Sequence, residues 1–102
     1  MKRTYFSIDG SYNRIKRVME YYLINGIEYG FYENREDGFY YMIHLDSGLA
    51  ATSRKTSLFN KKEALEACKK QVEEIPAEKL NMAIHKVKKS FKEHRLPYPL
   101  NP

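Results

Sequence analysis

Ile27-Glu28-Tyr29-Gly30-Phe31-Tyr32-Glu33 and Phe39-Tyr40-Tyr41-Met42-Ile43-His44-Leu45 decide the fold of this chain, because both runs are dense in aromatic and β-branched residues. Such side chains fit a pleated, half-buried surface. Between them Asn34-Arg35-Glu36-Asp37-Gly38 ends in glycine and has the length of a hairpin loop. A second turn at Asp46-Ser47-Gly48 predicts a return strand over residues 49–52. The centre of the molecule is therefore expected to be a small antiparallel meander.

Toward the N-terminus, Tyr12, Ile15, Val18, Met19, Tyr22 and Leu23 recur at steps of three and four, with Arg14, Lys16, Arg17 and Glu20 between them. This spacing predicts an amphipathic helix, capped by Asp9 or Ser11 and ended by Asn25-Gly26. Lys2-Arg3-Thr4-Tyr5-Phe6-Ser7-Ile8 reads as a short strand stopping at Asp9-Gly10.

Toward the C-terminus, Asn60 with Glu63 forms a capping-box signal and Phe59 is placed as a hydrophobic staple. A helix should start there, with Ala64, Leu65, Cys68, Val72 and Ile75 inward and Pro76 as its stop. A further helix should bury Leu80, Ala83, Ile84, Val87 and Phe91. Together these predict an α+β fold: a three- or four-stranded meander packed by two or three helices, in the order (β)-α-β-β-β-α-α. Residues 1–96 form one domain, and 97–102 an extended proline-rich tail.

At 102 residues the chain is long enough for one core without staples. Its lone cysteine, Cys68, calls for no oxidising compartment. With neither a long apolar run nor a signal-peptide pattern, a cytoplasmic protein without membrane association is expected. The net charge of +5 is unevenly spread. Residues 1–26 carry five basic and two acidic groups, 27–59 three and five, and 60–102 ten and six. A basic excess on helices flanking a slightly acidic sheet is compatible with a polyanionic partner.

Catalytic and metal signatures are sparse. Cys68 falls on an apolar stripe, where a free cysteine acts as a small core side chain. His44, His85 and His94 show no metal-ligand spacing. His44 and Asp46 share one face if they continue a strand, yet two polar residues at a strand end are usually solvated. No phosphate loop or nucleophile elbow is present. The expectation is a protein without catalysis, cofactor or metal.

Nine tyrosines are a heavy load, and adjacent Tyr40 and Tyr41 must point to opposite faces of a strand. An exposed tyrosine can stack on a nucleobase. Lys61 and Lys62 at a helix start combine positive charge with free backbone amides, an arrangement suited to phosphate.

A hairpin and third strand followed by Leu58-Phe59-Asn60-Lys61-Lys62-Glu63-Ala64 resemble the three-stranded-sheet-plus-helix modules of tyrosine-recombinase arm-binding domains and plant ethylene-response factors. With the first expected helix, residues 11–75 also look like the α-β-β-β-α double-stranded-RNA-binding domain. The RNA-binding resemblance implies a role for Lys61 and Lys62. The DNA-binding one implies Tyr40, Met42 or Arg54 on the sheet.

The expected function is a small nucleic-acid-binding accessory protein whose contacts to DNA or RNA come from Lys61, Lys62, Arg54, Lys55, Tyr40, Arg14 and Arg17. The alternative is a protein-binding accessory or inhibitor, of the kind that phages and other mobile elements use against host machinery. It would work through a sheet edge, the aromatic pairs or the proline tail. Exposed strand edges also invite homodimerisation.

Overall fold

The computed structural model describes residues 2–52 and 60–101. Five strands form one antiparallel sheet in sequential order: β1 (Lys2–Ile8), β2 (Arg14–Ile24), β3 (Ile27–Glu33), β4 (Tyr40–His44) and β5 (Leu49–Ala50). Two helices follow, α1 (Lys61–Glu73) and α2 (Ala77–Glu93). The α+β class and the central meander are as the sequence predicts, with a larger sheet.

The helix expected from Ser11 is instead β2, the longest strand, paired to β1 from Ile8↔Arg14 to Lys2↔Glu20 and to β3 from Glu20↔Phe31 to Ile24↔Ile27. Three local features favour the strand. Asp9 does not cap a helix: its carboxylate accepts from the backbone amides of Ser11 (2.8 Å) and Asn13 (3.0 Å), closing a hairpin loop. Asn25 and Gly26 both have positive φ, 52° and 76°, the geometry of a two-residue hairpin turn whose twist matches its strands. Finally, Ile15, Val18, Tyr21, Tyr22 and Ile24 are β-branched or aromatic, and they lose χ1 freedom in a helix. The apparent helical spacing arises from two alternating faces, both partly buried: Met19 on one side and Ile24 on the other are covered.

The first face of the sheet packs under α1. Tyr29, Phe31, Met42 and Ile24 meet Ala64, Cys68 and Val72, and Met42, Ala64 and Cys68 are completely buried. Asn60 caps α1 as expected, its Oδ1 accepting from the Glu63 amide at 3.1 Å. The expected staple residue, Phe59, lies outside the described residues. The second face gathers Met19, Ile43 and Leu45, flanked by Tyr5, Tyr21 and Tyr32.

The two ends of the sheet approach each other. The Ile8 amide donates to the Gly48 carbonyl in the β4–β5 turn at 3.0 Å, although β1 and β5 stand at opposite ends of the strand order. The sheet is therefore curled about its second face. The tail fastens this curl. Asn101 accepts from the Phe6 amide (2.7 Å) and donates to the carbonyls of Phe6 (2.9 Å) and Leu45 (2.6 Å), while the Leu100 amide donates to the Asp46 carbonyl. Leu100 is 2% exposed, so the end of the proline-rich tail is built into the domain.

Along α2 the expected inner stripe is covered unevenly: Phe91 is buried, Leu80, Ile84 and Val87 are half-buried, and Ala83 is exposed. No helix among the described residues is long and apolar enough to cross a membrane.

Candidate nucleic-acid interface

The β1–β2 hairpin carries Lys2, Arg3, Arg14, Lys16 and Arg17 against two carboxylates, Asp9 and Glu20. Alternation along the strands sorts these cations. The register Phe6↔Lys16 and Ile8↔Arg14 puts Arg14, Lys16, Phe6 and Lys2 on one face, and Tyr5↔Arg17 puts Arg17 on the other. Helix α1 covers the C-terminal half of β2, where Tyr22 and Ile24 join the first core cluster. The N-terminal half stays open, with Val18 62% exposed.

On that open half, Phe6 is bracketed by cations. The Arg14 guanidinium sits 5.1 Å and the Lys16 ammonium 5.9 Å from its ring centroid. Such contacts contribute about 0.5–1 kcal/mol at exposed sites and hold the charges in place. Arg17, on the reverse face, stacks 4.8 Å over Tyr32 and donates through Nε to Ser7 Oγ.

Beyond Glu20, β2 and β3 are not paired, since their ladder runs only from Glu20↔Phe31 to Ile24↔Ile27. The divergence opens a cleft of about 610 Å³. Lys2, Lys16 and Arg17 line one wall, Tyr40 and Arg35 the other, and Lys61 enters from the first turn of α1. Five cations and three carboxylates, Glu20, Glu33 and Glu36, face this space. Tyr40 stacks on Phe31 with centroids 5.5 Å apart and an interplanar angle of 8°, so its ring is fixed at the cleft wall. Burial, followed by the charge of Glu33, raises the pKa of its phenol and keeps it protonated.

Lys61 is partly neutralised, because its ammonium is paired with Glu20. The same carboxylate accepts from the Tyr22 hydroxyl at 2.9 Å. Those bonds, Lys61 first, hold Glu20 below the usual carboxylate range.

Three of the expected site residues, Tyr40, Lys61 and Arg17, thus line one cleft. Arg14 stands on the adjoining strip, and Lys62 is exposed one position further along α1. Arg54 and Lys55 lie outside the described residues. Met42, implicated by the DNA-binding resemblance, is fully buried beneath α1 and is not accessible to a ligand. Because residues 14–24 are a strand, the order over 11–75 begins with β where the RNA-binding topology begins with α. Phe6, Lys16 and Lys2 were missed as site residues. The alternation Arg14-x-Lys16-x-Val18 beside a β-rich N-terminus was the available signal.

The groups considered for catalysis are dispersed. Cys68 is completely buried, its thiol 3.8 Å from Thr52 Oγ1. His94 stacks on Tyr12, and among the described residues no three His, Cys, Asp or Glu side chains gather as a metal site. His44 bonds through Nδ1 to Ser47 Oγ at 2.8 Å, and Asp46 lies beyond the end of β4.

Burial pushes the His44 imidazole below its ordinary value of 6.5, with Asp46 opposing weakly. The unfolded chain therefore takes up this proton at higher pH than the folded one. Stability from this group is complete above about pH 7 and lost as pH falls through the depressed folded value. Thermal melts should show a midpoint falling between pH 7 and 5, and His44→Gln should flatten that slope. The depressed carboxylates Asp9 and Glu20 act only at lower pH.

No protein-family model, curated protein or solved structure matches the chain. The fold and the cleft define the class: a curled antiparallel sheet with a cationic, aromatic-bearing face.

Proposed function

We propose that the protein binds nucleic acid in single-stranded form, laying the phosphate backbone along Lys2, Lys16 and Arg14 and presenting bases to Phe6 and Tyr40. The observation that carries this reading is the bracketed ring: Phe6, half-buried and flanked by Arg14 and Lys16, on the half of the sheet where Arg14, Lys16 and Val18 are exposed. Cations spaced along a strand follow a phosphate chain, and base stacking on a ring adds about 1–3 kcal/mol per base. A rigid duplex has no unstacked bases to offer these rings, so a single strand is the better fit. No catalytic step is assigned to the site.

The expected outcome is micromolar or tighter binding of a fluorescently labelled oligothymidylate in anisotropy titrations at low salt. The logarithm of the affinity should fall linearly with that of salt, by about 0.7 per phosphate neutralised. Absence of binding at the lowest salt would remove the proposal.

A second reading, a protein-binding accessory, has its own observation. Over residues 14–19, β2 pairs with β1 alone, and its other edge faces the cleft. Such an edge accepts an added peptide strand through main-chain bonds. Salt-insensitive capture of an extended peptide, without oligonucleotide binding, would favour it.

A further inference from the structure

A second cavity, of about 350 Å³, lies between α2 and the sheet and shares no lining residue with the basic cleft. Its walls are Leu49, Ala51, Leu80, Ala83, Ile84 and Val87. Four polar side chains interrupt this apolar lining: Lys79, exposed at the rim, and the buried Ser47, His44 and Tyr29. His44 is 8% exposed and Tyr29 is 2% exposed, and both border the cavity. They are register partners on β3 and β4, with ring centroids 6.3 Å apart.

Nδ1 of His44 is satisfied by Ser47. Among the described residues, neither His44 Nε2 nor the Tyr29 hydroxyl has a hydrogen-bond partner. Buried polar atoms are nearly always paired, so two orphans at one apolar cavity require an explanation. Pockets that hold small ligands have this composition: predominantly apolar walls with a few converging polar groups.

We propose that this cavity is a binding site for a small apolar molecule with one uncharged hydrogen-bonding oxygen, a phenol or an alkyl alcohol, seated with that oxygen toward His44 and Tyr29. A cavity of roughly 150 Å³ accommodates benzene, so the present volume suits a ring with a short alkyl chain. A hydroxyl both donates and accepts, and so matches either tautomer of the imidazole and the phenol beside it. Burial keeps His44 neutral near pH 7, which removes the counter-charge a carboxylate would need at the inner end. The charged group of the lining is Lys79, which is exposed on α2.

The test uses the full chain, isotopically labelled, titrated at pH 7.5 with 4-butylphenol, butylbenzene and 4-butylbenzoate. Expected are saturable shifts of the Ala51 and Ile84 methyls and the His44 imidazole with the phenol. Butylbenzene should bind roughly three- to tenfold more weakly, the contribution of one hydrogen bond. Ala83→Phe, at an exposed position on the cavity wall, should abolish the shifts.

No saturable shift, equal affinity for phenol and hydrocarbon, or shifts surviving A83F would overturn the proposal. Tighter binding of the benzoate would overturn the uncharged head and assign the site to an acid held by Lys79. If A83F fails to fold, the three-ligand comparison on the native chain still decides. None of these outcomes bears on oligonucleotide binding.

Discussion

Reversing two charges on the β1–β2 hairpin, Arg14→Glu with Lys16→Glu, is expected to reduce oligonucleotide affinity at low salt by about a hundredfold or more. Each substitution removes a phosphate partner and adds a repelling carboxylate beside Phe6, the ring that both cations now flank. The salt slope should also fall, by about 1.4 for two lost contacts on a single strand. Folding should change little, since both residues are exposed and their contacts with Phe6 are worth about 1 kcal/mol each. Anisotropy titrations of the variant beside a charge-matched double reversal at exposed positions of α2, Lys86→Glu with Lys89→Glu, separate a site effect from net charge. The α2 variant should stay within about twofold of the parent.

A second large effect concerns stability. Gly48→Ala should lower the unfolding free energy by about 2–4 kcal/mol. Gly48 has φ of +71°, and a Cβ there would stand 2.5 Å from Leu100 Cδ2 and 3.1 Å from both Ile8 Cγ1 and Ser7 Cα. Its neighbours cannot easily retreat. Leu100 is buried and its amide is bonded to Asp46, and Ser7 contributes backbone. The same residue accepts the Ile8 amide bond that joins the two ends of the sheet. For a domain of this size the loss corresponds to a melting point roughly 10–25 °C lower. Gly10→Ala is the control: nothing lies within 4 Å of its Cβ position, and its melt should be nearly unchanged.

Much of the core was legible in the sequence. The aromatic and β-branched runs gave β3 and β4, and Asn60 with Glu63 gave the start of α1. Ala64, Cys68 and Val72 pack inward at the helical spacing that pointed to them.

Residues 14–24 misled for a physical reason. A strand with both faces partly covered superimposes two period-two patterns, and their sum mimics a helical repeat. Asn25-Gly26 was the discriminating signal, since asparagine-glycine between β-rich runs is a strong mark of a two-residue hairpin.

This difference changed the site as well as the fold. On a helix, Arg14 and Lys16 would lie about 200° apart. On a strand they share a face, and with Phe6 they form the cationic strip. Tyr40, Lys61 and Arg17 were identifiable by residue type, but their convergence depends on the divergence of β2 from β3 beyond Glu20. No local pattern encodes that divergence, because it follows from how the whole sheet curls. The role of the tail was equally hidden: Asn101 bonds Phe6 across 95 positions of sequence.

The most direct test of the account is a residue-resolved footprint of an oligothymidylate on the isotopically labelled protein. The account predicts that Phe6, Lys16, Val18 and Tyr40 shift together and saturate at one affinity, while the outer face of α2 stays silent. Shifts confined to α2, or a strip on β1 and β2 that remains unmoved while the oligonucleotide binds elsewhere, would contradict it.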